Sequence, residues 1–346
     1  MKYLLVLFIG FVFFSCHYTV KEKPRVFVFT DININSGDPD DRQSLVHLFW
    51  YANEFKIEGI VPDRWNAKGY EACELAVDAY RKDYLAYNFK TKHYPDPEDL
   101  KRRIAKNEQQ AIDLFLKSAS KTKEPLYVLV WGNMQLFGKA LLKQPSLAKN
   151  IRLITIGTGL MLEEHIQFMP SDWKRSKPCE QLNWNGFGRN EIYNDSQFND
   201  MWWLEINWSY AGMFPGDEPK EMFEKLSVYG NLGKHLKELV ESQPWAQYFR
   251  VGDTPSVLYL LDPNHDLNYP QTSSWAGRFV RPFPTERPNY YTDDCGNIEW
   301  DYKDPCNTWH NHSFVNEYAQ STLIEKREEM YTALLERLEG LYQQRK

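Results

Sequence analysis

The stretch from Thr30 to Asp41 constrains this chain more than any other. Before it, Val26-Phe27-Val28-Phe29 is a short apolar run of β-branched and aromatic residues, the pattern of a parallel strand buried on both faces. After it, Ser44-Leu45-Val46-His47-Leu48-Phe49-Trp50-Tyr51-Ala52 carries apolar residues at helical spacing. The loop between them holds four aspartates, Asp31, Asp38, Asp40 and Asp41. Four carboxylates this close in sequence repel one another. Helix capping accounts for one or two of them. A hard divalent cation accounts for all four, and ligands that are all oxygen suit Ca²⁺ or Mg²⁺. The loop therefore reads as a metal site, with the rest of the chain as scaffold and walls.

The pattern downstream supplies that scaffold. Ile57–Val61, Leu126–Val130 and Ile151–Ile156 read as further strands. Ala72–Tyr80, Leu100–Lys117 and Leu136–Leu142 read as the helices between them. Alternation of this kind predicts an α/β fold, an open and mostly parallel sheet flanked by helices. Irregular, aromatic-rich loops are expected over the strand C-termini, where such sheets bind ligands. Met201-Trp202-Trp203-Leu204 fits helix and strand equally. Gly252-Asp253-Thr254-Pro255-Ser256 opens a helix over Val257–Leu261, with Asp253 or Thr254 at the N-cap and Pro255 first in the helix. Tyr318–Gln344 reads as a charged amphipathic helix packed on the outside.

Length and charge narrow the function classes. A net charge of -6 over 346 residues, with no long basic block, gives nucleic acid nothing to bind. Aromatic content is 15%, with 12 Trp, which fits either a large core or a sugar-binding cleft. At the N-terminus, Lys2 precedes the apolar run Leu4–Phe14 and then Ser15-Cys16, the layout of a secretory signal. The expected organisation is a signal peptide over 1–15, lipid attachment at Cys16, a tether over 16–24, and one domain over 25–346. The mature protein is then exported and lipid-anchored in a bacterial cell envelope, periplasmic or at the surface. Of the five cysteines, Cys73 falls in a helical stretch as a buried thiol. Cys295 and Cys306 sit in a polar segment where an oxidising compartment permits a bridge. No Cys-x-x-Cys pair is present, which argues against a zinc site of that type.

Four motifs, taken together, carry a family resemblance: Thr30-Asp31-Ile32, Pro39-Asp40-Asp41-Arg42-Gln43-Ser44, Tyr51-Ala52-Asn53-Glu54 and Gly252-Asp253-Thr254-Pro255-Ser256. The chain resembles the nucleoside hydrolase-like family of secreted bacterial proteins often labelled cellulose-binding, within the wider inosine-uridine nucleoside hydrolase superfamily. The resemblance implies Ca²⁺-dependent hydrolysis, in which an aspartate takes a proton from a water that attacks an anomeric carbon. It implies Asp31, Asp41 and Asp253 as ligands of Ca²⁺, with a backbone carbonyl from residues 133–135, taken as that of Met134. Asp40 would contact sugar hydroxyls. Asn190 and Glu191, in the amide-rich loop 183–195, would hold the sugar.

Two departures from the superfamily stand out. Asn33 occupies a position where the related enzymes carry Asp, and the spacing from Asp31 to Asp41 is longer. The general base is therefore Asp38 or Asp31, and a site with neither in that role binds sugar without cleaving it. Trp65 at a strand end, Trp275 in a coil, and Arg278 complete the expected substrate contacts. The expected partners are a sugar-containing small molecule or glycan fragment and a membrane through the N-terminal lipid, with homo-oligomerisation left open.

Overall fold

The computed structural model describes residues 22–34, 39–157, 186–242, 247–298 and 313–343. The expected signal peptide, Cys16, Asp38 and Cys306 lie outside them. Among the described residues no helix is long and apolar enough to cross a membrane.

The first strand, β1 (Arg25–Thr30), is buried along its whole length. Its side chains alternate between two apolar layers, Val26 and Val28 on one face, Phe27 and Phe29 on the other. That alternation is why the run is apolar throughout: both faces are covered. Six parallel strands follow the order β2-β1-β3-β4-β5-β7, and β6 lies antiparallel at the edge. They are β2 (Lys56–Pro62), β3 (Leu126–Trp131), β4 (Ile151–Ile156), β5 (Trp202–Ile206), β6 (Phe279–Val280) and β7 (Tyr290–Asp293). Of Met201–Leu204, which fitted helix and strand equally, the last three residues are strand, with Trp203 buried.

The chain leaves β1 towards β2 on one side and takes up β3 on the other. β1 and β3 therefore form the point where strand order reverses, and a crevice opens beyond their C-terminal ends. Helix α1 (Asp40–Trp50) starts there. With α2 (Gly69–Ala86) it covers the face that holds Val26 and Val28. Helices α4 (Glu108–Ala119) and α5 (Gln135–Lys143) cover the other face.

Two expectations are corrected. Leu100–Lys117 is two helices rather than one: α3 (Pro97–Arg102) ends, and α4 starts at Glu108. The break has a cause. Ile60 of β2 donates its N–H to the Arg103 carbonyl, and Ala105 donates to the Ile60 carbonyl, so the connecting segment pairs with an otherwise open sheet edge. Asn107 then caps α4 by accepting from the Gln110 N–H at 3.0 Å. The C-terminal helix is the second correction. It runs over Ser313–Tyr342 and lays Leu323, Leu334, Leu338 and Leu341 into the core. Arg337 fastens it by donating to Asn53 Oδ1 at 2.6 Å and to the Glu54 carboxylate. The Asn53-Glu54 pair of the third motif is therefore a docking point for this helix. Among the described residues, longer helices that follow in chain order are α6 (Glu218–Leu226), α7 (Gly230–Ser242), α8 (Pro255–Leu261) and this one, α9, besides the single turn Glu191–Asn194.

A buried ion pair holds the turn that follows residue 185. Arg189 donates to both oxygens of Glu205 on β5, at 2.9 and 2.7 Å, and Tyr290 donates its hydroxyl to the same carboxylate. Glu205→Ala leaves the Arg189 guanidinium buried without its counter-charge. We expect a loss of about 3–5 kcal/mol in urea unfolding, whereas Tyr290→Phe costs about 1 kcal/mol.

Candidate functional site

Alternation along β1 places Thr30 on the α1 face of the sheet, and Trp131, its register partner on β3, lies on the same face. Each organises one half of the site. Thr30 Oγ1 donates to the carboxylate of Asp41 in the first turn of α1. Trp131 Nε1 donates to Ser256 Oγ at 2.8 Å, and Ser256 Oγ donates to the Asp253 carbonyl at 2.7 Å. Thr254 is the N-cap of α8 and Pro255 its first residue, so Asp253 stands just ahead of that helix. A third tie joins the halves. Gln43 of α1 donates Nε2 to the Tyr248 carbonyl at 2.9 Å and accepts from the Arg250 N–H at 2.8 Å. Residues 248–253 are thereby clipped to α1. Gly252 lies close to this group: a Cβ there would stand 2.8 Å from Asp40 Oδ2.

These ties bring Asp40, Asp41 and Asp253 together, with one oxygen from each within 4.8 Å of the others. Asp41 is 9% exposed and Asp253 5% exposed. Burial, followed by the charges of Asp253, Asp31 and Asp40, pushes the Asp41 carboxyl well above the usual carboxylate range, against the opposing Thr30 hydrogen bond. Two carboxylates this close repel by about 3–4 kcal/mol at an effective dielectric near 20. Protons or a cation must offset that, and three oxygen donors fit a hard divalent ion.

Asp31 stands outside this group. Its side chain is 25% exposed and accepts from Arg64 Nη2 at 3.3 Å. Asn33 donates its amide back to the Asp31 carbonyl at 3.2 Å. Asp63, at the end of β2, extends the acidic surface: its N–H donates to the Thr30 carbonyl at 3.0 Å. Its carboxyl is pushed up to about 8, first by burial and then by Asp31, with Arg64 opposing.

The other expected residues are spread along the rim. The Met134 carbonyl is turned into α5, where it accepts from the Gly138 N–H at 2.8 Å. Gly188, at φ +86°, lies directly against that carbonyl, which brings the turn Gly186–Asn190 onto the α5 N-terminus. Asn190 is half-buried and accepts from Arg189 Nη1 at 3.3 Å. Glu191 is exposed and accepts from the Gly188 N–H at 3.2 Å. Trp65 is half-buried, with Nε1 donating to the Ala105 carbonyl at 3.0 Å. Trp275 is 4% exposed and packs in the core, which leaves no open ring face for a sugar. Trp131 is also core. Arg278 precedes β6 at the far edge of the sheet, where it faces Asp294, Glu325 and the Tyr318 ring. Buried Cys73 and Cys295 are away from this group; Cys295 Sγ lies 3.9 Å from the Asp293 carbonyl. His47 is buried against Tyr51 and Phe249, and burial pushes its imidazole down to about 3, so it stays neutral.

Sequence reasoning left out Thr30, Gln43, Ser256 and Asp63 as parts of the site. Thr30, Gln43 and Ser256 fall inside the motifs but act through others. Gln43 is a polar residue just ahead of the apolar run that begins at Leu45 in α1, and it is fully buried, which is the signal that could have found it.

Comparison with known proteins places this geometry. No curated protein matches the chain. Among solved structures, a nucleoside hydrolase-related hypothetical protein from Saccharophagus degradans, associated with carbohydrate metabolism, aligns with a TM-score of 0.59 at 17% identity. That alignment covers 93% of this chain and 72% of the other. The inosine-uridine preferring nucleoside hydrolase from Bacillus anthracis aligns at a TM-score of 0.44 and 14% identity, over 86% of this chain and 99% of that one. Residues 25–279 match the model of the family described as cellulose-binding Sde182, nucleoside hydrolase-like domain, and the chain belongs to that family.

Proposed function

We propose that this chain is an exported, lipid-anchored glycosidic hydrolase that depends on Ca²⁺ and acts on a nucleoside-like or small glycan substrate. The observation that carries the reading is the convergence of Asp40, Asp41 and Asp253, two of them buried, from two helix starts clipped together by Gln43. Asp41 and Asp253, with Asp40, would hold the ion. When bound, it supplies the positive charge that makes water more acidic and draws sugar hydroxyls into place. Asp40, the least buried of the three, accepts from those hydroxyls. Asp31 sits beside the group and is partly open to solvent, with Arg64 fixing its orientation. It takes the proton from the attacking water, and Asp38 is the rival for that role. The carboxylates stabilise the positive charge that grows on the anomeric carbon. The family label and the Saccharophagus relative's association with carbohydrate metabolism support a sugar ligand. Export and lipid attachment rest on Leu4–Phe14 and Cys16 alone.

A second reading keeps the cation and the sugar and omits bond cleavage. Asn33 favours it, because an amide cannot take a proton from water. A glycoside panel with reducing-sugar detection separates the two. On the hydrolase reading, Asp41→Asn and either Asp31→Asn or Asp38→Asn each lower turnover by at least about 100-fold. Wild-type protein that binds sugar and releases none is a binding protein.

The acidic group also sets a pH dependence with a definite sign. Asp41 and Asp63 have raised carboxyl pKa values in the folded chain, so their contribution is fully present below about pH 4 and is lost as pH rises through their folded values. With chelator present, the melting temperature should fall as pH rises from 5 to 8, and Asp41→Asn should flatten that fall. Calcium at about 100 times its Kd should add about 2.7 kcal/mol of stability at pH 8. It should add much less at pH 5, where protons compete. A melting curve unmoved by chelator and calcium at both pH values overturns the metal assignment.

A further inference from the structure

Grooves on the outer faces of α4 and α5 are lined by Asn107, Gln109 and Asp113, and by Gln135, Lys139 and Glu191, with no aromatic residue in either. A groove of about 440 Å³ beyond β2 differs: Trp65, Tyr70, Glu71, Glu74, Lys101 and Lys106 line it. It lies at the same end of the sheet as the acidic group, and the chain around Asp31 is bonded to the segment 64–69 that leads into it. Ile34 donates to the Ala67 carbonyl at 3.4 Å, and Gly69 donates to the Arg64 carbonyl at 2.9 Å. Arg64, immediately before Trp65, donates to Asp31.

We propose that this groove is a second sugar subsite, which takes a neutral pyranose unit of a glycan whose neighbouring unit reaches the acidic pocket. The proposal rests on the reading of that pocket as one that handles sugars. Two aromatic rings suit the apolar C–H face of a pyranose. Trp65 is held by its Nε1 hydrogen bond and packs against the core, so its ring is oriented before a ligand arrives and little entropy is lost on binding. Glu74 is braced by Lys101 at 2.7 Å and by the Tyr70 hydroxyl, and Lys106 Nζ lies 5.9 Å from the centre of the Tyr70 ring. Two lysines and two glutamates leave the lining with no net charge. A phosphate or uronate would be drawn by Lys101 and Lys106 and repelled by Glu71 and Glu74, with no net gain, whereas hydroxyl groups find donors and acceptors on every side. A nucleobase also stacks on Trp and Tyr, but its few polar edges leave most of these four side chains unused. The substrate class that follows is a neutral oligosaccharide of two or more units.

The test is isothermal titration of cellobiose, cellotetraose, tetragalacturonate and inosine into the full chain, with calcium and with chelator. Cellotetraose should bind most tightly of the four. Tyr70→Ala should weaken it about five- to tenfold, equally with calcium and with chelator, and Tyr70→Phe should stay within about twofold of wild type. Glu71→Ala should weaken it and leave the melting temperature unchanged. Unaltered cellotetraose affinity in Tyr70→Ala overturns the subsite, as does tighter binding of inosine or tetragalacturonate, or no cellotetraose binding at all. The metal-dependent hydrolase reading fails separately, through the calcium and turnover measurements: a Tyr70-dependent affinity that survives chelation leaves the groove standing without it.

Discussion

Repulsion among Asp40, Asp41 and Asp253 is the constraint on which the other features of this structure depend. Burying carboxylates beside one another opposes folding, by desolvation and by mutual charge. The fold must therefore supply enough rigid structure to hold them where they are. Several neutral groups take part. Thr30 hydrogen-bonds Asp41, Gln43 bridges α1 to residues 248–250, and Trp131 with Ser256 fixes the carbonyl of Asp253.

The sheet explains why these ties meet at one point. Side chains at Thr30 and Trp131 share a register and a face. The strand order reverses between β1 and β3, so the loops leaving them diverge and leave room for α1 and α8 to start side by side. The site is thus a consequence of topology and side-chain alternation, with each carboxylate carried on the first turn of a helix or just ahead of one. The Arg189–Glu205 pair serves the same end from β5, where it sets the turn that packs Gly188 on the start of α5.

Much of this was legible in the residues, for reasons of period and spacing. Four of the seven strands, β1 to β4, read correctly because a strand covered on both faces is largely apolar, whereas β5 fitted helix and strand equally and the short strands β6 and β7 were missed. Asp40 and Asp41 stood out because clustered acid after a buried strand has few neutral explanations, and Asp253 because of the motif Gly252–Ser256 that carries the family resemblance. Leu100–Lys117 was misread as one helix because its break comes from pairing with β2, a contact more than forty residues away that no local pattern reports. The C-terminal helix misled for a related reason. Its buried residues shift gradually around thirty residues of helix, so its charged face looked like an outer surface. Asp63 and Gln43 were passed over because each takes its meaning from a partner: Asp31 in one case, residues 248–250 in the other.

The tryptophans sharpen the same lesson. High aromatic content fits a core and a sugar cleft alike, and the positions of the rings separate the two uses. Trp50, Trp131 and Trp208 are fully buried, and Trp275 is nearly so. Burial at Trp131 nonetheless contributes to the site, since its one polar atom anchors the segment that carries Asp253. Trp65 reverses the arrangement: its polar atom is satisfied by the backbone behind it, and its ring lines the groove beside Arg64. A buried indole that hydrogen-bonds a helix start holds position, and a half-buried indole with its N–H already satisfied has only its ring left to offer a ligand. Aromatic content therefore carries functional meaning here through where the N–H points, a property that composition cannot report.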